Sequence, residues 1–128
     1  MWVSEWTSEE LTKIGTAEEL RLASLRPDGT LRRPVTMWVV RVADSLYVRS
    51  VKGPTGPWFR GARSRRQGHI RAGGVDKDVN FDFLNADVRL SELIDATYRE
   101  KYRRYTGPIL DSVLTTAARS ATIELLPR

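Results

Sequence analysis

A group of residues that can bind an anion lies close together in the sequence, between residues 49 and 63. Arg49 and Lys52 supply two positive charges, and Ser50 between them supplies a hydroxyl group. Gly53 begins a loop rich in glycine and proline, and glycine allows backbone N–H groups to come close to an anion. These residue types at this spacing predict a site for a phosphate group.

Two more arginines, Arg60 and Arg63, follow in "WFRGARSRR", a stretch whose spacing of apolar residues predicts a short helix. The N-terminus of a helix attracts anions because its first backbone N–H groups have no partner within the helix. We therefore include both arginines in the predicted phosphate site. The alternative interpretation is a flexible loop beside a solvated basic helix.

The tryptophans indicate where the planar ring of a cofactor would bind. Trp58 opens the predicted helix and is placed to stack on a cofactor ring, whereas its neighbour Phe59 is expected in the core. Trp38 lies in the middle of an apolar segment and is also expected in the core. Trp2 and Trp6 are interpreted as a lid or a dimer contact.

The positive charge of the chain is concentrated in one segment. The whole sequence has a net charge of +5, and residues 60–71 contain five arginines and no acidic residue. A local basic patch next to aromatic residues is one way of binding nucleic acid. The sequence contains no recognised nucleic-acid motif, so we expect nucleic acid to be the less favoured ligand.

Several kinds of chemistry are excluded by composition. The 128 residues include no cysteine, so disulfides and thiol nucleophiles are absent. His69 is the single histidine, and Asp76, Asp78 and Asp82 alternate along a predicted strand, so we predict neither a catalytic triad nor a metal site. The sequence has no long apolar run and no signal-peptide pattern, which leads us to expect a cytoplasmic protein away from membranes.

The first half of the chain predicts a helix and then strands. Thr7 and Glu10 form a capping-box pattern at the start of a helix that is expected to run through Ile14. Residues 35–42, "VTMWVVRV", are rich in branched and aromatic residues and predict one central strand. Together with residues 46–51 they predict a hairpin.

The second half predicts another pair of strands, joined at Gly73-Gly74, before the pattern changes to that of a helix. This helix spans residues 87–105, and its tyrosines, Tyr98 among them, are expected to pack on the sheet with their hydroxyls at the rim. Acid–base spacing along it indicates an exposed pair of Asp95 with Arg99. A final strand follows. The connections are too short for parallel crossovers, so the sequence predicts one α+β domain over residues 1–128, an antiparallel sheet curled into a barrel with flanking helices.

The run "LRRPVTMWVVRVADSLYVRSVKGPTGPWFR" resembles the split β-barrel flavin-binding superfamily, and "IDATYREKYRRY" resembles its late tyrosine-rich helix. Within that superfamily the pattern over about residues 30–105 is most similar to deazaflavin-dependent nitroreductase-like proteins and to an uncharacterised bacterial family of small proteins. The resemblance implies a homodimer that binds FMN or a deazaflavin and acts as an oxidoreductase on a small organic substrate.

The sequence departs from the nitroreductase-like pattern after the aromatic pair. Those proteins continue with an Asn-Leu step and an Asn-Pro turn, where this chain has Gly61-Ala62 and Ser64-Arg65-Arg66. A protein of the same fold that binds a small ligand without a cofactor, or a non-redox enzyme, is therefore the alternative function. The catalytic residues are not identified by the sequence.

Overall fold

The computed structural model describes residues 5–85 and 87–128 of the chain. Its strands are β1 (Leu20–Ser24), β2 (Val35–Met37), β3 (Val40–Val42), β4 (Ser45–Arg49), β5 (Gln67–Ala72), β6 (Val75–Phe83) and β7 (Thr122–Pro127). Its helices are α1 (Ser8–Thr16), α2 (Pro57–Arg65), α3 (Val88–Lys101), α4 (Pro108–Asp111) and α5 (Thr116–Ser120). The strands form one antiparallel sheet in the order β2-β1-β5-β6-β7-β4-β3.

This strand order forces the sheet to curl. β2 and β3 lie at opposite edges of the sheet, yet only Trp38 and Val39 separate them in the chain. Seven strands spaced by ~4.8 Å would span about 29 Å if the sheet were flat. Three residue steps cover at most about 11 Å. The two edges must therefore approach each other, and the predicted split-barrel α+β fold is confirmed.

The prediction of one central strand over residues 35–42 is wrong. The segment is divided at Trp38 and Val39 into two short strands, and both are edge strands. The residues are β-like throughout, so the division comes from barrel closure and not from local preference. The sheet consequently has six strands before α3.

Side chains of α3 pair with the backbone where the chain crosses between the edges. The Tyr102 hydroxyl, just after α3, accepts a hydrogen bond from the Val39 N–H at 3.3 Å and donates one to the Glu18 carbonyl at 2.7 Å. The Lys101 ammonium donates to the Val39 carbonyl at 2.6 Å, and burial lowers the pKa of Lys101 to about 8. Trp38 stacks on Tyr102 with ring centroids 3.9 Å apart. These contacts replace the ladder bonds that Val39 would make inside a strand.

Other local predictions are confirmed. Thr7 and Glu10 form the capping box of α1, although this helix continues to Thr16, beyond the predicted end. β5 and β6 form the predicted hairpin, with Gly73 and Gly74 in left-handed conformations at its turn. The late helix ends at Lys101 and is followed by a 3₁₀ turn over Arg103–Tyr105. Within the described residues, no helix has both the length and the apolar character needed to cross a membrane.

The barrel interior holds most of the apolar core. Trp6 belongs to this core, and its indole N–H donates to the Leu125 carbonyl at 2.9 Å, so its interpretation as a lid or dimer contact is wrong. Trp2 lies outside the described residues. Phe59 and Ala62 of α2 reach the same core, as the sequence predicted for Phe59. α2 is thereby fixed against the barrel next to the end of β4.

We expect the Tyr102→Phe variant to be less stable than the parent protein by ~1–3 kcal/mol. The substitution removes the hydroxyl and leaves the buried N–H of Val39 and the partly buried carbonyl of Glu18 without this partner. Tyr105→Phe is the matched control, because the Tyr105 hydroxyl bonds the exposed carboxylate of Glu18, which water can hydrate instead. Denaturant unfolding of the three proteins measures the difference. Equal stability of the two variants would contradict this account of barrel closure.

Candidate functional site

A cavity opens where β4 ends. It measures about 490 Å³, which is in the range of small-molecule sites. Its walls come from β2 and Trp38, from the chain that links β4 to α2, from the first residues of α2, from Tyr98 of α3, and from residues 109–113. Parts of the chain that are distant in sequence therefore meet at this one cavity.

Four of the seven residues predicted to bind a cofactor line this cavity: Arg49, Ser50, Lys52 and Trp58. Gly53 is buried beside it with a φ of 73°, and a Cβ there would lie 3.0 Å from the Cβ of Ala117. Arg60 and Arg63 lie outside the lining.

The charge of Arg49 mainly stabilises the protein interior and is largely unavailable to bind an anion from outside. Its side chain is fully buried and donates to Asp95 at 2.5 Å, to the Val113 carbonyl at 2.9 Å and to the Thr122 hydroxyl at 3.1 Å. The other carboxylate oxygen of Asp95 accepts from Arg119. The prediction that Asp95 forms an exposed pair with Arg99 is wrong, because Asp95 is buried and bonded to these two arginines. The three charges sum to one positive charge, and the Arg119 side chain that contributes to it is 43% exposed.

Ser50 differs from Arg49 because its hydroxyl is unused. The residue is 1% exposed and lines the cavity, and its Oγ has no hydrogen-bond partner within the described part of the chain. Gly56, which precedes α2, has no side chain to cap the helix. A Cβ on Gly56 would lie 2.6 Å from the Ser50 Oγ, so glycine keeps the space beside this hydroxyl open. An unpaired hydroxyl and an uncapped helix N-terminus thus face the same space.

Tyr98 presents a second unused hydroxyl. It is fully buried, it lines the cavity, and its hydroxyl finds no partner among the described residues. The prediction that this hydroxyl lies at the rim of the sheet is wrong. Burial raises the pKa of Tyr98, which keeps the phenol protonated. The spacing of apolar residues placed Tyr98 on the buried face of α3, but nothing in the sequence indicated that its hydroxyl would lack a partner.

Aromatic and apolar side chains complete the walls. Trp38, predicted to be a core residue, is half-buried and lines the cavity while it stacks on Tyr102. Trp58 lines it as well and meets Phe59 edge-on at 5.9 Å. Val51 and Ile109 belong to the lining and are 50% and 61% exposed. The cavity therefore offers flat apolar walls with two polar hydroxyls.

The basic segment 60–71 makes several internal contacts. The Arg63 guanidinium lies over the Phe59 ring at 4.9 Å, and Arg66 lies over Phe83 at 5.4 Å. Arg71 pairs with Asp76 at 3.1 Å, because the β5–β6 hairpin brings acidic residues next to it. The segment itself contains no acidic residue, but acidic residues lie next to it in the fold.

His69 lies on this hairpin, where its two ring nitrogens contact Asp76 and Asp78. Asp76, Asp78 and Asp82 alternate along β6 as predicted, and β5 places His69 beside the first two of them. Hydrogen bonding to Asp78, and then to Asp76, raises the pKa of His69, and His69 lowers the pKa of both carboxyls. Within the described residues no group of acidic and histidine side chains has a metal-binding arrangement.

The sequence matches a protein-family model over residues 10–125, and this model is described as an uncharacterised protein conserved in bacteria, DUF2255. The chain belongs to this family. A comparison with curated proteins gives no match.

Solved structures of the same fold include several proteins that bind redox cofactors. A candidate pyridoxamine 5′-phosphate oxidase from Listeria innocua has a TM-score of 0.63 at 15% identity, covering 94% of this chain and 91% of its own. An FAD-binding protein from Mesorhizobium loti has a TM-score of 0.60 at 19% identity, covering 100% and 94%. An F420-H2-dependent reductase has a TM-score of 0.60 at 14% identity, covering 85% and 93%. At these identities the likeness establishes the fold.

Asp95→Asn is expected to destabilise the protein by ~3–5 kcal/mol, because it removes the charge that compensates the buried Arg49. The matched control is Glu100→Gln, which breaks an exposed pair with Arg103 and should cost less than ~1 kcal/mol. Urea unfolding of both variants provides the comparison. Similar losses in the two variants would show that the buried network does not hold the cavity wall.

The contribution of His69 to stability should depend on pH. A histidine with a raised pKa stabilises the fold fully below its ordinary value of 6.5, and this contribution is lost as the pH rises through the folded-state pKa. The two carboxyls, with lowered pKa values, lose their contribution as the pH falls below their ordinary value of 3.8.

We therefore expect His69→Gln to reduce the free energy of unfolding more at pH ~5.5 than at pH ~8.5. Denaturant unfolding at the two pH values measures this difference. Asp82→Asn, on the same strand as Asp76 and Asp78, should not reproduce it. A loss that is equal at both pH values would mean that the charge of His69 contributes nothing.

Proposed function

We propose that the cavity binds a flavin-type cofactor, either FMN or a deazaflavin, and that the protein is an oxidoreductase acting on a small organic substrate. The observation that carries this proposal is the buried Ser50 hydroxyl without a partner, which faces the space in front of α2. A buried polar group without a hydrogen bond costs free energy, so a ligand that pairs with it recovers that cost.

The polar end of the cavity fits the phosphate of such a cofactor. The Ser50 hydroxyl can donate to a phosphate oxygen, and Lys52 adds a positive charge at the same end. α2 presents its N-terminus without a side-chain cap at Gly56, and that end of a helix favours negative charge. The buried Arg49 and the more exposed Arg119, both paired with Asp95, contribute one further positive charge near the cavity.

The apolar end fits a flat ring system. Trp58, Trp38 and Met37 line it, and aromatic side chains pack well on the face of a planar ring. A bound flavin or deazaflavin supplies the hydride chemistry, whereas the residues of this chain bind it, orient it and exclude water from it. The roles of Arg49, Gly53, Arg60 and Arg63 in cofactor binding stay predictions, and the geometry supports them less than those of Ser50, Lys52 and Trp58.

The cofactors named for structures of the same fold support this proposal at the level of the superfamily. A homodimer is part of the proposal, because Val51 and Ile109 at the cavity are exposed apolar residues that a second copy can cover. The alternative is a cofactor-free protein that binds a small apolar ligand. It is favoured by one observation, namely that the charge of Arg49 is already paired with Asp95.

Titration with FMN, riboflavin and a deazaflavin, followed by tryptophan fluorescence and melting temperature, tests the proposal. We expect FMN to bind more tightly than riboflavin, which lacks the phosphate. Ser50→Ala and Lys52→Ala should each weaken FMN about tenfold and leave riboflavin unchanged, because each removes one charge-assisted contact. Lys13→Ala is the matched control for Lys52→Ala, since it removes an exposed lysine of α1 that does not line the cavity.

Two results would contradict the proposal. If FMN, riboflavin and the deazaflavin all fail to bind, the cavity is not a flavin site and the cofactor-free alternative is favoured. If FMN and riboflavin bind equally and Ser50→Ala changes neither, the phosphate site lies elsewhere.

A further inference from the structure

The Tyr98 hydroxyl is a buried hydrogen-bond donor that the rest of the described protein does not use. The two tyrosines that follow it in the chain are different. Tyr102 bonds the backbone of Glu18 and Val39, and Tyr105 bonds the Glu18 carboxylate at 2.7 Å. Only Tyr98 of these three has a hydroxyl without a partner, and it is the one that lines the cavity.

None of the polar groups among the described residues accepts a hydrogen bond from this hydroxyl. The Arg49 guanidinium lies 5.5 Å from the centre of the Tyr98 ring, and an arginine has donors but no acceptor. The two carboxylate oxygens of Asp95 already receive Arg49 and Arg119, and the Val113 carbonyl receives Arg49. Within the described residues the Tyr98 hydroxyl therefore has no acceptor, and a molecule bound in the cavity that Tyr98 lines can supply one.

We infer that Tyr98 positions the ligand of this cavity by donating a hydrogen bond to a carbonyl-type or nitro oxygen on an otherwise apolar ring system. The inference rests on the proposed function only in placing a ligand in this cavity, and it does not require that ligand to be a flavin. It adds Tyr98 to Ser50 as a residue that determines specificity. Tyr98 binds a neutral acceptor, whereas Ser50 binds an anionic one.

The chemistry of the surroundings selects this class of oxygen. Apolar walls disfavour a full negative charge on the ligand at this depth, whereas a neutral oxygen acceptor is compatible with them. The Arg49 guanidinium beside the Tyr98 ring, although paired with Asp95, favours an oxygen that gains electron density when its conjugated ring system accepts electrons. Because burial raises the pKa of Tyr98, the phenol stays a hydrogen-bond donor at neutral pH and is a poor source of a transferred proton.

The oxygen can belong to a cofactor ring or to a substrate, and the same variant tests both. Tyr98→Phe removes the hydroxyl and keeps the ring. In the ligand-free protein we expect this variant to melt at the same or a higher temperature than the parent, because an unpaired buried hydroxyl contributes no internal bond. Tyr102→Phe, which loses bonded groups, should melt at a lower temperature. A loss of stability in Tyr98→Phe equal to that in Tyr102→Phe would overturn the inference.

Binding is measured with two probes of nearly the same shape, 2-acetylnaphthalene, which carries a carbonyl oxygen, and 2-isopropylnaphthalene, which does not. Tyr98→Phe should weaken the acetyl probe about tenfold and leave the isopropyl probe unchanged. A role in packing alone would alter both probes equally. Tyr105→Phe, which removes a tyrosine hydroxyl outside the cavity lining, should affect neither.

Repeating the titrations with FMN separates the two sources of the oxygen. Weaker FMN binding in Tyr98→Phe assigns the acceptor to the cofactor ring. Unchanged FMN binding, with the acetyl preference retained when FMN is saturating, assigns it to the substrate. If FMN does not bind but the acetyl preference depends on Tyr98, the proposed cofactor fails and this inference holds. If no probe and neither cofactor depends on Tyr98, the inference is overturned.

Discussion

The two-residue connection from β2 to β3 determines the rest of the structure. Trp38 and Val39 join the opposite edges of a seven-stranded sheet, so the sheet has to close on itself. Closure removes Val39 from any ladder, and Tyr102 and Lys101 supply the hydrogen bonds that its backbone would otherwise lack. The same contacts hold α3 against β3. Because α3 is fixed there, Tyr98 lies in the cavity wall.

The cavity wall combines two kinds of buried polar group with different energetic roles. Arg49, Asp95 and Arg119 form a network in which each carboxylate oxygen is paired, and its disruption leaves a buried charge without compensation. Ser50 and Tyr98 are neutral, and each leaves one hydroxyl unsatisfied. A neutral unpaired group is tolerable at the level of about 1–3 kcal/mol, whereas an unpaired charge is not. The charged network therefore stabilises the cavity wall, and the hydroxyls of Ser50 and Tyr98 are free to bind a ligand.

Local signals in the sequence were sufficient to predict most helices and strands and part of the candidate site. The capping box at Thr7, the Gly73-Gly74 turn and the spacing of apolar residues in α2 and α3 are each determined within a few residues. The division of residues 35–42 was not predictable, because it follows from the meeting of two distant edges. For the same reason the sequence could place Arg49 at the cavity but could not show its pairing with Asp95, 46 residues later.

The position of β7 has a consequence for how the chain reaches this structure during synthesis. β7 follows the other six strands in the sequence, yet it lies between β6 and β4 and pairs with both. Until it has left the ribosome, β6 and β4 expose unpaired edges, which are the surfaces through which nascent chains associate wrongly. Because its pairings join distant parts of the chain, barrel closure is a late and slow event. The cavity, whose wall begins where β4 ends, can exist only after this last strand has been inserted.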